Sequence, residues 1–245
     1  MGEITYLLSA LSGVLVGFTL GLVGGGGSIL AVPLMVYVVG VKNPHLAIGT
    51  SALAVAANAL AGLASHARAH NVNWRCGGAY ALAGVLGAFA GSSAGKAVDG
   101  QHLLLLFALL MLVIAALMFR NRGQEGVEGV VCNRDNFPKV TAFGFGTGIL
   151  SGFFGIGGGF LIVPGLVAST AMPVGRAVGT SLVAVTAFGL TTAFNYALSG
   201  LVDWALAGTF IAGGVLGSIG GTALSRRMAA AKGQLSTVFA GLVVV

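Results

Sequence analysis

Only 7% of the 245 residues are charged, while 56% are hydrophobic and 42 are glycine. Soluble domains carry roughly a quarter charged residues, so this chain cannot cover a surface that faces water, and a soluble enzyme is excluded. The net charge of +6 does not indicate nucleic-acid binding, because the basic residues lie in short connections and form no stripe with aromatic neighbours. The composition is typical of a protein whose side chains face lipid.

Apolar runs separated by polar breaks follow one another along the chain. The first five lie at about 4–23, 28–41, 46–65, 77–95 and 103–119, and five more lie at about 139–155, 160–172, 177–198, 204–224 and 234–245. A spanning helix needs about 20 residues, so the runs at 28–41 and 160–172 are too short to span comfortably. The final run is short too, and we interpret it as a truncated helix.

The two sets of five runs are related in sequence, which predicts an internal repeat. With an offset of 131 residues, the glycines and the proline around the two short runs coincide: Gly21, Gly24, Gly27 and Pro33 fall on Gly152, Gly155, Gly158 and Pro164. With an offset of 130, the triplet Gly-Thr-Ser at 49–51 falls on the one at 179–181, and Trp74 falls on Trp204. We therefore predict a first membrane repeat at 1–120, a cytoplasmic linker at 121–138 and a second membrane repeat at 139–245.

The orientation of the repeats is predicted from their parity and from charge. Five segments per half is an odd number, so the halves should enter the membrane from opposite sides. Under this inverted model, ten Lys and Arg residues fall on one side and only Lys42 and Lys96 on the other, as the positive-inside rule requires. The expected fold is all-α: a polytopic membrane protein of two inverted repeats, each with about five helical segments and a glycine-broken short helix.

Two glycine clusters, at 24–27 and 155–159, each end one apolar run and begin a short one. Neither fits a nucleotide-binding loop, because no Gly-Lys-Ser/Thr ending and no strand or acidic partner accompanies it. One interpretation is a tight packing turn, and the other is a broken membrane helix. Backbone N–H groups and the positive end of the helix dipole at such a break can hold an anion, and paired breaks in two halves are typical of a transport site.

The predicted substrate-binding residues lie at these breaks and on the helix that follows each of them: Gly26, Gly27, Ser28, Thr50, Ser51 and Asn58 in the first half, and Gly157, Gly158, Gly159, Thr180, Ser181 and Asn195 in the second. The Thr and Ser hydroxyls could bond to an oxyanion, or they could bond only to their own helix. The two asparagines are not repeat equivalents. No Asp, Glu or Lys is expected to be buried in an apolar run, which disfavours a carboxylate proton relay. The two cysteines form no framework, and unpaired thiols are expected.

The doubled motif set resembles one known family. Gly-Leu-Val-Gly-Gly-Gly-Gly-Ser at 21–28 and Gly-Phe-Phe-Gly-Ile-Gly-Gly-Gly at 152–159 are each followed by a proline and by a Gly-Thr-Ser triplet. Over nearly the whole chain, this pattern resembles the TauE/SafE family of sulfite exporters and related organosulfur and small-anion permeases. The resemblance implies a multi-pass carrier of sulfite, a sulfonate or a similar anion in the inner membrane of a bacterium or archaeon, without naming the substrate.

We therefore expect a secondary transporter for a small, sulfur-containing oxyanion that binds between the two glycine breaks and crosses by alternating access. An anion channel that uses the same helix ends is the alternative. A membrane enzyme is not expected, because no metal cluster and no nucleophile with its base is found, and no cofactor is expected. The expected partners are a small anionic substrate and membrane lipid, without nucleic acid. Homo-oligomerisation, transport direction and the coupling ion are left open.

Overall fold

The computed structural model describes residues 3–120 and 136–229, which form helices joined by short connections, with no strand among them. The predicted all-α class is confirmed. The last apolar run, at 234–245, and most of the predicted linker lie outside the described residues. The regular helices are α1 (Glu3–Val23), α3 (Pro44–Arg68), α4 (Trp74–Ala97), α5 (Gly100–Arg120), α6 (Phe137–Phe154), α7 (Gly159–Thr170), α8 (Val174–Ala197) and α9 (Trp204–Ala229). The second segment, α2, is irregular.

The α2 segment changes its winding twice within a short distance. It consists of a 3-10 helix (Gly24–Leu30), one α turn (Ala31–Pro33) and a π turn (Leu34–Val38). A proline removes a backbone donor from the helix interior, so the change of winding at Pro33 has a local cause. Its counterpart α7 is a regular helix of 12 residues, which is about 18 Å long and therefore shorter than the hydrocarbon core of a bilayer.

Four of the described helices are long and apolar enough to cross a membrane, by length and composition: α1, α3, α8 and α9. Three shorter apolar helices lie in α2, α5 and α7. The chain before α5 provides the helix cap, because Asp99 accepts from the backbone N–H of Gln101 at 2.9 Å. The N–H groups of Gln101 and His102 lower the pKa of the exposed Asp99 carboxyl, as expected where a carboxylate caps a helix.

The halves are joined by two glycine-lined interfaces, α1 with α9 and α4 with α6. A Cβ built on Gly17 would overlap the backbone of Gly214, and one built on Gly148 would overlap the backbone of Gly84. Under the repeat offsets these are the same pair of positions, exchanged between the halves. Small residues let membrane helices approach until their backbones touch, so each half is held by the other through equivalent surfaces.

At the centre, α3 packs against α8. These two helices are repeat equivalents, and their contacts run in opposite directions along the chain: Gly49 with Tyr196, Ala56 with Gly189, and Gly62 with Leu182. The two helices are therefore antiparallel. An inverted repeat requires this arrangement of equivalent helices, and the relation of the halves to the membrane itself stays a prediction.

One expectation about the cysteines is wrong. Cys76, in the first turn of α4, is buried and disulfide-bonded, because spacing along a sequence does not report which thiols meet in space. Disulfides are rare in the cytoplasm, whereas the positive-inside rule places this end of α4, beside Arg75, on the cytoplasmic side. The disulfide and the charge bias therefore point to opposite sides of the membrane.

Candidate functional site

The second glycine break is a turn built from left-handed backbone. The φ angles of Gly155, Gly157 and Gly158 are +67°, +66° and +64°, a conformation that glycine adopts without the steric penalty of a Cβ. Gly155 ends α6, and Gly158 precedes the first residue of α7. The predicted break between two helices is therefore present in the second half.

The contacts of Gly157 show where this break lies relative to the central helices. A Cβ built on Gly157 would lie 2.9 Å from Val55 Cγ1 of α3 and 3.5 Å from Val185 Cγ1 of α8. These valines are repeat equivalents with an offset of 130. The second break therefore lies against both of the central, antiparallel helices.

The first break folds back on the helix that precedes it. A Cβ built on Gly27 would overlap the backbone at Thr19 and Leu20, and the Thr19 hydroxyl donates to the Gly27 carbonyl at 3.3 Å. The segment α2 also packs against α7. The structure thus packs the segment that contains the first glycine break against the helix that follows the second one, although they are about 130 residues apart in sequence.

The hydroxyls of the two Gly-Thr-Ser triplets are engaged with backbone. The Thr50 hydroxyl accepts from the N–H of Asp203 at 2.9 Å, and the Thr180 hydroxyl accepts from the N–H of Asn73 at 3.0 Å. Each threonine thereby ties its helix to a loop of the other half. Ser51 and Ser181 donate to the carbonyls three residues earlier, at 3.1 Å and 2.8 Å. We therefore leave these four residues out of the site proposed below.

Asn195 lies in a polar network at the far end of α8. Its amide nitrogen donates to Ser92 Oγ at 2.6 Å and to Ser93 Oγ at 2.9 Å, while its amide oxygen accepts from Lys96 Nζ at 2.8 Å. Ten residues separate it from Val185, which is about 15 Å along a helix. Asn195 joins α8 to α4 and is not placed at the glycine breaks, so we leave it out as well.

Asn58 remains a candidate because its side-chain amide forms no hydrogen bond in the described structure. It is 0% exposed, and neither its amide oxygen nor its amide nitrogen has a hydrogen-bond partner. It packs against Gly214 of α9, as its repeat equivalent Phe188 packs against Gly84. It follows Val55 by three residues, about one helical turn, and is therefore close to the level of the second break.

Ser151 was missed by the sequence reasoning. It lies on α6, is 0% exposed, and its hydroxyl has no partner. A Cβ built on Gly158 would lie 2.6 Å from Ser151 Oγ, so this hydroxyl faces the second break. The search for motifs shared by both halves passed over it, because its repeat equivalent is Leu20. Within the described residues, no group of three His, Cys, Asp or Glu side chains could hold a metal ion.

Comparison with known proteins decides the family. A family model described as "Sulfite exporter TauE/SafE" matches residues 9–245. The chain belongs to the TauE/SafE family. It is a multi-pass membrane transporter and not an enzyme, which confirms the resemblance and the class predicted from the motifs.

The relatives of this TauE/SafE protein are named as transporters, and their names specify no substrate. A probable membrane transporter protein of Xylella fastidiosa (strain 9a5c) is 54% identical over 240 residues, which is 96% of this chain and 90% of that protein. The probable membrane transporter protein YunE of Bacillus subtilis (strain 168) is 25% identical over 245 residues, covering 91% of this chain and 90% of that protein. No solved structure matches.

Proposed function

We propose that this TauE/SafE protein is a secondary transporter that moves a small, sulfur-containing oxyanion by alternating access. The substrate binds between the two glycine breaks, against α3 and α8. The observation that carries the proposal is the packing of α2 against α7, together with the contact of Gly157 with equivalent valines of both halves. Paired, interrupted segments at the interface of two repeats are a recurrent form of transport site.

The chemistry of this region favours an anion held by neutral groups. Residues 21–41 and 152–172 contain no charged side chain, and neither do residues 46–65 and 177–198 of the flanking central helices. The available positive potential is that of backbone N–H groups at a helix start. Such donors suit a small anion and provide little gain for a second negative charge. The family description as a sulfite exporter favours an oxyanion of sulfur.

Alternating access is supported by the exchanged packing of the halves. The interfaces α1–α9 and α4–α6 are lined by glycines at equivalent positions. Two equivalent, smooth surfaces around one site are compatible with two arrangements of similar energy, which a carrier requires. An anion channel could use the same helix ends, but it would need a continuous open pore.

The deciding experiment measures uptake by purified protein in proteoliposomes. Sulfite, thiosulfate, methanesulfonate and acetate would each be tested, first by thermal shift and then by flux under an imposed proton or sodium gradient. We expect a sulfur oxyanion to stabilise the protein and to accumulate against its own gradient, with similar affinities for monoanions and dianions. Flux that only runs downhill would favour the channel. Equal transport of neutral solutes would contradict the anion site.

A further inference from the structure

We propose that the Ser151 hydroxyl and the N-terminus of α7 together form the oxyanion-binding centre, and that the second glycine break contributes more to substrate affinity than the first. This inference rests on the proposed anion-transport function and adds to it a binding residue and an asymmetry between the halves. Neither feature follows from the repeat, which would predict equal roles for both breaks.

The first step is the state of the Ser151 hydroxyl. The side chain is 0% exposed and its oxygen has no hydrogen-bond partner. Burial of a hydroxyl without a partner is unfavourable, and in a membrane helix the ready remedy is a bond to a carbonyl of the preceding turn. The Ser151 hydroxyl forms no such bond, so it is directed away from the carbonyls of its own helix.

Other buried serines of this protein do form a hydrogen bond to a carbonyl of the preceding turn. Ser51, Ser169 and Ser181 donate to the carbonyls of Ile48, Leu166 and Val178, at 3.1, 3.3 and 2.8 Å. Each of these acceptors lies three residues before its donor. The contrast with Ser151 is therefore a difference of side-chain direction, and it arises within one protein in similar helical surroundings.

The second step is where the hydroxyl points. A Cβ on Gly158 would lie 2.6 Å from Ser151 Oγ, so the oxygen is against the residue that immediately precedes α7. The Gly158 carbonyl accepts from the N–H groups of Leu161 at 2.9 Å and Ile162 at 3.0 Å. The N–H groups of Gly159 and Phe160 precede these bonds, at the positions where a helix has no partner for its donors.

These groups fit an oxyanion. A hydroxyl donor lies beside a helix start, whose first N–H groups have no partner within the helix, and the helix dipole adds a positive potential there. Bonds to a charged acceptor are stronger than bonds between neutral groups. An anion with three or more oxygen atoms can accept from both sources at once, which suits sulfite and sulfonates.

The first break lacks this arrangement. Leu20 occupies the position equivalent to Ser151 and has no donor. The neighbouring Thr19 hydroxyl has one hydrogen to donate and is surrounded by the carbonyls of Val16 at 2.9 Å, Leu15 at 3.0 Å and Gly27 at 3.3 Å. This hydroxyl is thus engaged by carbonyls of the protein, whereas the Ser151 hydroxyl at the second break has no partner.

The test is calorimetric titration of purified protein with sulfite, thiosulfate and methanesulfonate. Ser151→Ala removes the donor without removing any hydrogen bond of the described structure, so the protein should fold as the wild type does. The matched control is Ser169→Ala, another buried helical serine, whose hydroxyl is bonded to Leu166. We expect Ser151→Ala to weaken binding of the preferred oxyanion by about tenfold or more, the range for a hydrogen bond to a charged group, and Ser169→Ala to change it less than about twofold. Ser151→Cys, a weaker donor of similar size, should fall between the wild type and Ser151→Ala.

Each outcome is decisive. If Ser151→Ala binds as tightly as the wild type, the inference is overturned while the proposed transport function stands. If Ser169→Ala loses as much affinity as Ser151→Ala, or if Ser151→Cys binds no more tightly than Ser151→Ala, the effect is one of packing and the inference is again overturned. If the wild type binds none of the three oxyanions, the proposed substrate class fails and the inference fails with it.

Discussion

The two glycine breaks occupy equivalent positions in the repeat, yet they are built differently. The first continues into a 3-10 segment and is tied to α1 through the Thr19 hydroxyl. The second turns through left-handed glycines, begins the regular helix α7 and faces the unpartnered hydroxyl of Ser151. The repeat therefore determines where the chain breaks, while single side chains that differ between the halves determine which break offers a donor.

The same contrast appears one turn along the central helices. Asn58 and Phe188 are equivalent, and each packs on a glycine of the facing helix, but only Asn58 carries polar atoms. The proposed oxyanion site needs polar groups on one side of the substrate and can use apolar walls on the other. The differences between the halves are therefore the natural places to look for specificity.

The largest expected effect is the difference in thiol labelling between the two ends of the helix bundle, because each thiol is either accessible to an impermeant reagent or not. In a Cys76→Ser, Cys132→Ser background, Ser199→Cys and His70→Cys place single thiols in exposed loops at opposite ends of the antiparallel pair α3–α8. The charge bias predicts that an impermeant maleimide labels Ser199→Cys in intact cells and labels His70→Cys only after permeabilisation. The reverse pattern would agree with the disulfide at Cys76 and would overturn the predicted sidedness.

The next effect tests whether the exchanged interfaces are equivalent. Gly148→Leu should abolish most folded protein, because even a Cβ at this position overlaps the backbone of Gly84, and overpacking at a backbone contact separates the helices. Gly17→Leu should cause a similar loss in the other interface. Folded yield is measured by detergent gel filtration.

Gly146→Leu is the matched control for these variants. It lies two residues from Gly148 on the same helix, and a Cβ there has nothing within 4 Å. We expect yield close to that of the wild type. Equal losses for Gly146→Leu and Gly148→Leu would show that glycine content, and not backbone contact, is what α6 requires.

A smaller effect separates backbone strain from function at the second break. Gly158→Ala adds a methyl group against Ser151 at a φ of +64°, whereas Gly200→Ala meets a φ of +69° in open space. Both should lose about 1–2 kcal/mol of stability from the left-handed backbone, and Gly158→Ala should lose more, because its methyl group would lie 2.4 Å from Ser151 Cβ. Only Gly158→Ala should also lower sulfite transport, by about tenfold or more. Equal transport by the two variants would show that the second break is a turn without a binding role.

The smallest effect concerns Asn58. Asn58→Leu replaces two buried, unpartnered polar atoms with apolar ones of similar volume, so thermal stability should be unchanged or raised by about 1 kcal/mol. Transport rate should fall if the amide contacts substrate, and Phe188→Leu serves as the control at the equivalent position. Full transport by Asn58→Leu would remove this residue from the site.

Much of the architecture could be predicted from composition and pattern. The scarcity of charge excluded a soluble fold, the doubled glycine, proline and Gly-Thr-Ser positions predicted the repeat, and the motif set predicted the family that the comparison confirms. Hydropathy and glycine spacing depend on residues near one another in the sequence, and a repeat offset is found by aligning one stretch of sequence with another, so none of these properties requires a tertiary contact.

Only the tertiary structure shows which polar groups already have a hydrogen-bond partner within the protein. Thr50 bonds to Asp203 and Thr180 to Asn73, across 153 and 107 residues, and these bonds engage hydroxyls that the sequence offered as anion ligands. Ser151 became visible only when Gly158 was seen against it. The hydrogen-bond partner of a polar group depends on which segments pack together. Because each half of this protein is packed against the other, these partners cannot be predicted from the sequence of one half.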